Sequence, residues 1–347
     1  MPPQSVKSYR NTAVGLIISV AILFILLLLI SFWLEPFRGD LTRISGLPDN
    51  EYGWRSDQYD FPELLFDTLE HPDLAEKSYE IVVLGDSFSN YLEQSWLNYV
   101  VQATGFSAVH YHTGVFLPSE VFESELYQQS PPKLFIYEAV ERSMYSLAPY
   151  MKEACISDED LSSLKTFYSF TPQSPADLRK RFIPQPQPGR LDAPMRYLAN
   201  KVEGQTQTKL ATLSQKTLFS SRRPSTLLYY WEDLEKFKLS AQQRQDARCG
   251  LKDLQHSVQS QPGETNFLVL VAPDKSSIYA DYIVDEGNYQ LDIRPLIAPP
   301  LNTINLHNLL RQQVKAGIED VYLPNDTHWG TAGYVQVAEA VIDFLKP

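Results

Sequence analysis

A short buried β-strand that ends in Gly-Asp-Ser constrains the fold more than any other stretch of this sequence. The segment Tyr79–Asn90 reads YEIVVLGDSFSN, and its run of four apolar residues, IVVL, predicts a buried strand. Gly85 permits a tight turn directly after the strand, because glycine has no Cβ to clash. Ser87 is therefore expected at the carboxyl edge of a sheet, where open α/β sheets place their sites.

Two roles suit Ser87 equally well on this segment alone. If the serine is a nucleophile, the backbone N–H groups that follow it, at the start of a helix, would stabilise developing negative charge. If it is a helix cap, Asp86, Ser87 and Ser89 are ordinary residues, because such side chains accept hydrogen bonds from the first turn.

An Asp-x-His motif near the other end of the chain bears on this choice. The segment Asn325–Gly330, NDTHWG, precedes an apolar periodic run, Tyr334–Leu345, which predicts the last helix. Asp326 can hold one ring nitrogen of His328, so that the other nitrogen acts as a base. A polar turn with a helix cap is the alternative. Serine, histidine and a carboxylate are the residue types that covalent acyl transfer requires.

Several motifs carry a family resemblance. GDSFS early and DTHWG late in the chain resemble the SGNH-hydrolase superfamily. Three further stretches, together with the DTHWG loop, resemble the periplasmic O-acetyltransferases of alginate and related bacterial exopolysaccharides: GDLTRISGLPDNEYGWRSDQ (Gly39–Gln58), LFIYEAVERSM (Leu134–Met144) and FLVLVAPDKSSIYADYI (Phe267–Ile283). The serine motif precedes Asp-x-His here, as in ordinary SGNH enzymes, whereas Asp-x-His comes first in the alginate enzymes.

The resemblance implies an α/β fold, an SGNH-hydrolase-like parallel sheet flanked by helices, with a helical and irregular insertion and an N-terminal transmembrane helix. The alternation of strands with helical stretches independently predicts a parallel sheet covered on both faces. The implied catalytic residues are Ser87 as nucleophile, His328 as base and Asp326 as the carboxylate that orients the base.

The resemblance also implies roles for residues that bind the oxyanion or the substrate. The backbone N–H of Gly114 would donate to the oxyanion. Glu138 and Arg142 match a Glu…Arg pattern of the acetyltransferases, although their spacing of four also suits a helical ion pair. Lys275 would assist substrate binding, with capping or a salt bridge as the ordinary alternative.

The sequence predicts neither a metal nor a cofactor. His110 and His112 share one face of a predicted strand, but no third ligand lies nearby, which favours a structural or solvent-facing role over a metal site. No glycine-rich phosphate loop or dinucleotide fingerprint is present.

An uncharged segment near the N-terminus predicts a membrane anchor. Ala13–Leu34 exceeds the ~20 apolar residues that cross a bilayer, and no small-residue cleavage site follows it. The expected organisation is a cytoplasmic tail (1–12), a transmembrane signal anchor (13–34), a linker packed on the domain (35–78) and an SGNH-like domain (79–347) with an insertion at about 148–265. The expected location is the bacterial inner membrane, single-pass, with the domain in the periplasm.

The predicted insertion holds two further features. Thr171–Pro194 is rich in Pro and Gln, which predicts a loop or extended arm; its basic residues could touch an anionic glycan or lipid headgroups, or could simply be solvated. These basic residues are Arg179, Lys180, Arg181 and Arg190. Cys155 and Cys249, the two cysteines of an exported chain, are expected to form a disulfide.

These observations favour an enzyme. The net charge of −12 argues against a nucleic-acid partner, which requires a basic footprint. The family resemblance implies a membrane-anchored O-acetyltransferase that transfers acetyl to hydroxyls of a bacterial exopolysaccharide, with a multi-span membrane O-acyltransferase as acetyl supplier. The alternatives are an SGNH carbohydrate esterase or deacetylase, and a catalytically idle assembly or glycan-binding protein of a polysaccharide secretion complex.

Overall fold

The computed structural model describes residues 4–34, 39–71, 75, 77–90, 92–144, 155–164, 170–171, 177–182, 192–203, 207–261, 263–287, 289 and 293–346. The helices are α1 (Gln4–Leu34), α2 (Asp40–Ser45), α3 (Asp49–Tyr52), α4 (Trp96–Thr104), α5 (Pro118–Phe122), α6 (Glu125–Gln129), α7 (Asp158–Ser162), α8 (Asp192–Glu203), α9 (Ala241–Gln259), α10 (Lys275–Ile278), α11 (Leu306–Lys315) and α12 (Thr331–Phe344). The strands are β1 (Gln58–Asp60), β2 (Asp67–Leu69), β3 (Ile81–Gly85), β4 (Ala108–His112), β5 (Leu134–Val140), β6 (Lys180–Phe182), β7 (Thr208–Thr212), β8 (Thr226–Tyr230), β9 (Asn266–Ala272) and β10 (Thr303–Ile304).

A six-stranded sheet forms the centre of the domain, in the order β10-β9-β5-β3-β4-β2, and every neighbouring pair is parallel. Successive side chains of a strand point to opposite faces. Ile81 and Val83 of β3 accordingly enter one hydrophobic core, and Val82 and Leu84 enter the other. The predicted parallel sheet, with β3 buried on both faces, is therefore confirmed.

Helices cover both faces of this sheet. Side chains of α4, α11 and α12 fill one core, and α4 packs directly against α12. The other core receives α9, through residues such as Leu251 and Leu254. The result is a three-layer α/β/α domain in which all parallel strands direct their carboxyl ends to the same edge.

The helix α9 lies within the predicted insertion (148–265) and packs into a hydrophobic core of the central sheet. Ser240 caps this helix by accepting a hydrogen bond from the Gln243 N–H at 3.2 Å. Within the described residues, α7, β6, α8, β7 and β8 lie outside the central sheet. The Pro- and Gln-rich segment contributes the extended strand β6, which pairs with β1. Its residue Arg190 lies outside the described residues.

The described residues of the predicted linker (35–78) pack on the domain and contribute two strands to its sheets. Strand β2 forms the edge of the central sheet beside β4, and strand β1 pairs with β6. Trp54 is buried and lies 5.7 Å from the ring of Phe182, measured between centroids. The chain that follows the anchor is thus fixed along much of its described length.

The helix α1 is long and apolar enough to cross a membrane, by length and composition. The span Tyr9–Leu34 has 26 residues, and its most apolar part is exposed. Ser31 and Leu34, in the last turn, are buried, and α1 contacts α3 and α8. The C-terminal end of the helix therefore packs against the domain.

A disulfide joins Cys155 to Cys249, which are 94 positions apart in sequence and have Cα atoms 5.0 Å apart. Cys249 is buried in α9, and α7 packs nearby. The bond therefore attaches the segment that follows β5 to a core helix.

We predict that replacing both cysteines, Cys155→Ser with Cys249→Ser, lowers the free energy of unfolding by about 2–5 kcal/mol, because a cross-link over a long loop restricts the unfolded chain. Urea denaturation of the full chain in detergent measures this change. The matched control is a reductant, which should destabilise the native chain equally and leave the double variant unaffected. An unchanged free energy of unfolding in the double variant would contradict the prediction.

Candidate active site

Three side chains from opposite ends of the sequence form one hydrogen-bonded chain. The Ser87 Oγ lies 2.8 Å from His328 Nε2, and His328 Nδ1 lies 2.6 Å from Asp326 Oδ1. Ser87 is exposed, whereas His328 and Asp326 are buried. The structure thus brings together the three residues that the sequence suggests as nucleophile, base and orienting carboxylate.

The turn after β3 presents Ser87 at the sheet edge. Asp86 accepts hydrogen bonds from the N–H of Phe88 at 2.9 Å and of Val140 at 2.8 Å, which closes the turn and ties it to β5. Gly85 is required here for close approach: a Cβ at this position would lie 2.6 Å from Ser89 Oγ. The N–H of Ser87 has no hydrogen-bond partner among the described residues.

Glu138 lies behind the turn that carries Ser87 and is buried. Its Oε2 accepts hydrogen bonds from Ser89 Oγ at 2.8 Å and from the Asp86 N–H at 3.0 Å. Burial, together with the neighbouring Asp86 carboxylate, raises the pKa of Glu138 well above its ordinary value. These contacts favour a supporting role for Glu138 over the predicted role in lining the site.

Lys275 is buried and supports the loop that carries Asp326 and His328, which favours a structural role over the predicted role in substrate binding. Its Nζ donates to the carbonyl oxygens of Leu323, Pro324 and Asp326 at 2.7, 2.9 and 3.1 Å. An ammonium group has three N–H donors, and each of them has an acceptor here. Burial lowers the pKa of Lys275 to about 7, against the opposing effect of nearby carboxylates.

Asp40 is a residue of the candidate site that the sequence motifs did not indicate. It lies six residues after the end of α1, and its N–H donates to Asp326 Oδ2 at 3.1 Å. Its carboxylate accepts from the Thr327 N–H at 2.9 Å and from Thr327 Oγ1 at 2.7 Å. The only sequence signal for it is its place in the Gly39–Gln58 stretch that carries the family resemblance.

The charges around His328 favour its protonated form. Burial alone lowers the pKa of His328, but the carboxylates of Asp326 and Asp40 outweigh burial and raise it above the ordinary value. Burial, followed by the repulsion of Asp326, raises the pKa of Asp40 to about 6. Near neutral pH, Asp40 is therefore mostly ionised and stabilises an imidazolium at His328.

Gly114 is not available as the predicted oxyanion donor in this arrangement. Its N–H donates to Nδ1 of the exposed His112 at 2.9 Å. His110 is buried, and its Nε2 lies 3.2 Å from the carbonyl oxygen of Gly85. Burial, followed by the proximity of His112, lowers the pKa of His110 to about 3, so His110 is a neutral support below the turn.

Arg142 belongs to a buried ionic cluster and forms no ion pair with Glu138. Its guanidinium donates to Asp274 Oδ1 at 2.6 Å and to Asp233 Oδ1 at 3.3 Å. Lys236 adds bonds to Asp274 at 2.8 Å and to Glu141 at 3.0 Å. A helical Glu–Arg pair does not form, because Glu138 lies in β5 and not in a helix. The cluster attaches the Trp231–Lys238 segment to the carboxyl ends of β5 and β9.

A pocket of about 250 Å³ lies beside the nucleophile turn, at the carboxyl ends of β3, β4 and β5. Its lining combines polar groups, such as Asp86, His112 and Ser143, with the rings of Phe116 and Tyr137. Polar groups set among aromatic walls suit a small organic group that carries oxygen atoms. The pocket is therefore a candidate binding site next to the exposed serine.

One group of side chains could in principle hold a metal ion. One ligand atom from each of Asp40, Asp326 and His328 lies within 4.8 Å of the others. Those atoms already serve the hydrogen bond between Asp326 and His328 and the two bonds from Thr327 to Asp40. The donor set therefore suits proton transfer through His328 better than metal coordination.

Comparison with protein families agrees with this geometry. Residues 223–347 match the family model described as "SGNH hydrolase-like domain, acetyltransferase AlgX". The match confirms the resemblance to alginate-type O-acetyltransferases. The matched residues include Asp326, His328 and Lys275, whereas Ser87 and Asp40 precede them. No curated protein and no solved structure matches the chain.

We predict that Asp40→Asn lowers the pKa of His328, because the substitution removes a negative charge that stabilises the imidazolium. A serine–histidine pair requires the neutral imidazole, so the acidic limb of a pH–rate profile should move to lower pH. Histidine NMR titration and the rate of hydrolysis of a soluble acetyl ester, each measured against pH, check this. Glu339→Gln, on the exposed surface of α12, is the control for a lost carboxylate and should leave both unchanged. If the acidic limb of the Asp40→Asn profile stayed in place or moved to higher pH, Asp40 would not be a group that raises the pKa of His328.

Proposed function

We propose that the protein is a membrane-anchored O-acetyltransferase that transfers acetyl through Ser87 to hydroxyl groups of a bacterial exopolysaccharide. The single observation that carries this proposal is the continuous hydrogen-bonded chain from Ser87 through His328 to Asp326. The match to the AlgX-type family model supports acetyl transfer as the reaction in which Ser87, His328 and Asp326 take part. No cofactor is required, because all three residue types needed for acyl transfer are present.

In the first half of the proposed reaction, Ser87 Oγ attacks the carbonyl carbon of an acetyl donor, and His328 Nε2 accepts the hydroxyl proton. Asp326 holds the imidazole through Nδ1 and stabilises its positive charge. The oxyanion formed at the carbonyl oxygen needs a donor, and we assign this role to the N–H of Ser87. The imidazolium then protonates the departing group, and acetyl-Ser87 remains.

In the second half, a sugar hydroxyl gives its proton to His328 Nε2 and attacks the acetyl carbon. The Ser87 oxygen leaves and regains a proton from the imidazolium. Water is a competing acceptor, so acetyl transfer requires a site that holds the sugar next to the acetyl group. The pocket beside Asp86 is the place we assign to a bound substrate group.

The anchor sets where this reaction takes place. From Leu34, the end of α1, to Asp40 the chain advances six residues, which span at most about 20 Å when fully extended. The triad, bound to Asp40, therefore lies near the membrane end of the anchor. This supports a periplasmic domain at the inner membrane and a multi-span membrane O-acyltransferase that supplies acetyl at the bilayer surface.

A carbohydrate esterase is the second candidate, and the exposure of Ser87 favours it. An exposed nucleophile admits water, and hydrolysis of acetyl-Ser87 uses the same residues as transfer. The two functions differ only in the acceptor. An idle scaffold receives less support, because such a protein would not need the hydrogen-bonded arrangement of all three residues.

We predict that Ser87→Ala abolishes acetylation of the polymer, because no acyl-serine can form. His328→Ala should reduce the rate by roughly 10²–10⁴-fold through loss of the base. Asp326→Asn should also cause a large loss, because the imidazole is no longer held in the correct tautomer. The measurement is the acetyl content of secreted polysaccharide in cells that carry each variant, with Ser130→Ala at an exposed serine as control.

A second measurement separates the candidate functions. Mass spectrometry of the purified chain after incubation with an activated acetyl ester should show acetyl on the Ser87 peptide and none in Ser87→Ala. Added oligosaccharide should then divert acetyl from free acetate to the sugar. Release of acetate alone, with no sugar ester at any acceptor concentration, would favour the esterase. Normal polymer acetylation by Ser87→Ala would rule out both enzymes.

A further inference from the structure

The helix α8 carries an exposed apolar stripe. Met195, Leu198 and Val202 lie three and four residues apart, so they share one face of the helix. Their exposed fractions are 56%, 49% and 86%. Apolar side chains at this spacing usually face a protein core, which makes their exposure here unusual.

The opposite face of α8 packs on the domain. Tyr197 and Asn200, on the side of the helix away from the stripe, are half-buried. Asn200 Nδ2 donates to the carbonyl oxygen of Ser45 at 2.9 Å, which ties α8 to the end of α2. The apolar stripe therefore points away from the domain.

The surroundings of α8 identify what covers the stripe. The helix contacts α1, the candidate membrane span, so α8 lies beside a helix that is long and apolar enough to face lipid. Arg196 and Lys201 are exposed on either side of the stripe. An apolar face flanked by cations is the pattern of helices that lie at the boundary of headgroups and acyl chains, where anionic lipids attract the cations.

We propose that α8 lies in the surface of the membrane that α1 spans, with Met195, Leu198 and Val202 inserted among the lipids. This rests on the proposed membrane anchor but requires no catalytic activity. In this position, α8 attaches the domain to the membrane surface and also sets the orientation of the domain relative to the membrane. Asn200 of α8 is bonded to Ser45 at the end of α2, and Asp40 at the start of α2 is bonded to Asp326. A displacement of α8 by lipid would therefore move the segment that holds Asp326.

Spin labels on single cysteines test the position of α8 in the bilayer. Both native cysteines are consumed by the disulfide, so an introduced cysteine can be labelled selectively. The variants are Met195→Cys, Leu198→Cys and Val202→Cys in the full chain, with Glu339→Cys on α12 as a water-exposed control. The protein is placed in lipid nanodiscs that contain phosphatidylethanolamine and phosphatidylglycerol. Collision rates are measured with oxygen, which concentrates in lipid, and with a water-soluble nickel complex.

All three stripe labels should collide more with oxygen and less with nickel than the control label does. Replacing Arg196 and Lys201 with Glu in the Leu198→Cys chain should increase nickel collisions, because the cations no longer meet anionic headgroups. Nickel collisions equal to those of the control would overturn the proposal. Labels shielded from both reagents would also overturn it, because the stripe would then be covered by protein, such as a second copy or a partner helix. Since the readout needs no substrate, loss of the proposed enzyme function would leave it interpretable.

Discussion

The buried carboxylate of Asp326 is the group on which the rest of the site depends. A buried charge costs several kcal/mol unless it is hydrogen-bonded and paired. Asp326 meets this demand through the His328 N–H at 2.9 Å, the His328 ring and the N–H of Asp40. Each of these donors is also a functional or anchoring element. The hydrogen bonds that the Asp326 carboxylate accepts thus hold three parts of the fold in place: the ring of His328, the loop that carries it, and the segment after α1 that begins at Gly39.

The residue before Asp326 adds further bonds to the segment that begins at Gly39. Leu41 and Thr42 donate their N–H groups to the carbonyl oxygen of Asn325, and the Asn325 side chain donates to Asp49 Oδ1 at 2.7 Å. Gly39 lies so close that a Cβ there would be 2.2 Å from Asn325 Nδ2. A free tether could not form these bonds. The segment that follows the candidate membrane span therefore also helps to build the candidate active site, and displacement of this segment would disturb that site.

Local signals explain what could be predicted from sequence. The run IVVL followed by Gly-Asp-Ser specifies a strand and its turn, and Asp-x-His brings an imidazole to its carboxylate over two residues. The roles of Glu138, Lys275 and Arg142 were not predictable in this way. Each depends on groups distant in sequence: Glu138 on Ser89, Lys275 on carbonyls near residue 325, and Arg142 on Asp233 and Asp274. In the sequence, a single polar residue beside a strand end looks the same whether it faces the substrate or supports a loop that faces the substrate.

The electrostatics of the triad also constrain where acceptor selectivity must come from. Asp326, Asp40 and Asp86 all raise the pKa of His328 against the effect of burial, and this stabilises the imidazolium that forms whenever a hydroxyl proton is taken. In the proposed reaction that hydroxyl belongs first to Ser87 and then to the acceptor. Because the same charge forms for sugar and for water, the triad cannot favour one over the other. In that proposed reaction, selectivity for a sugar therefore has to arise outside the triad, from groups that position the acceptor, and the pocket lined by Asp86, His112 and Tyr137 is the candidate place for them.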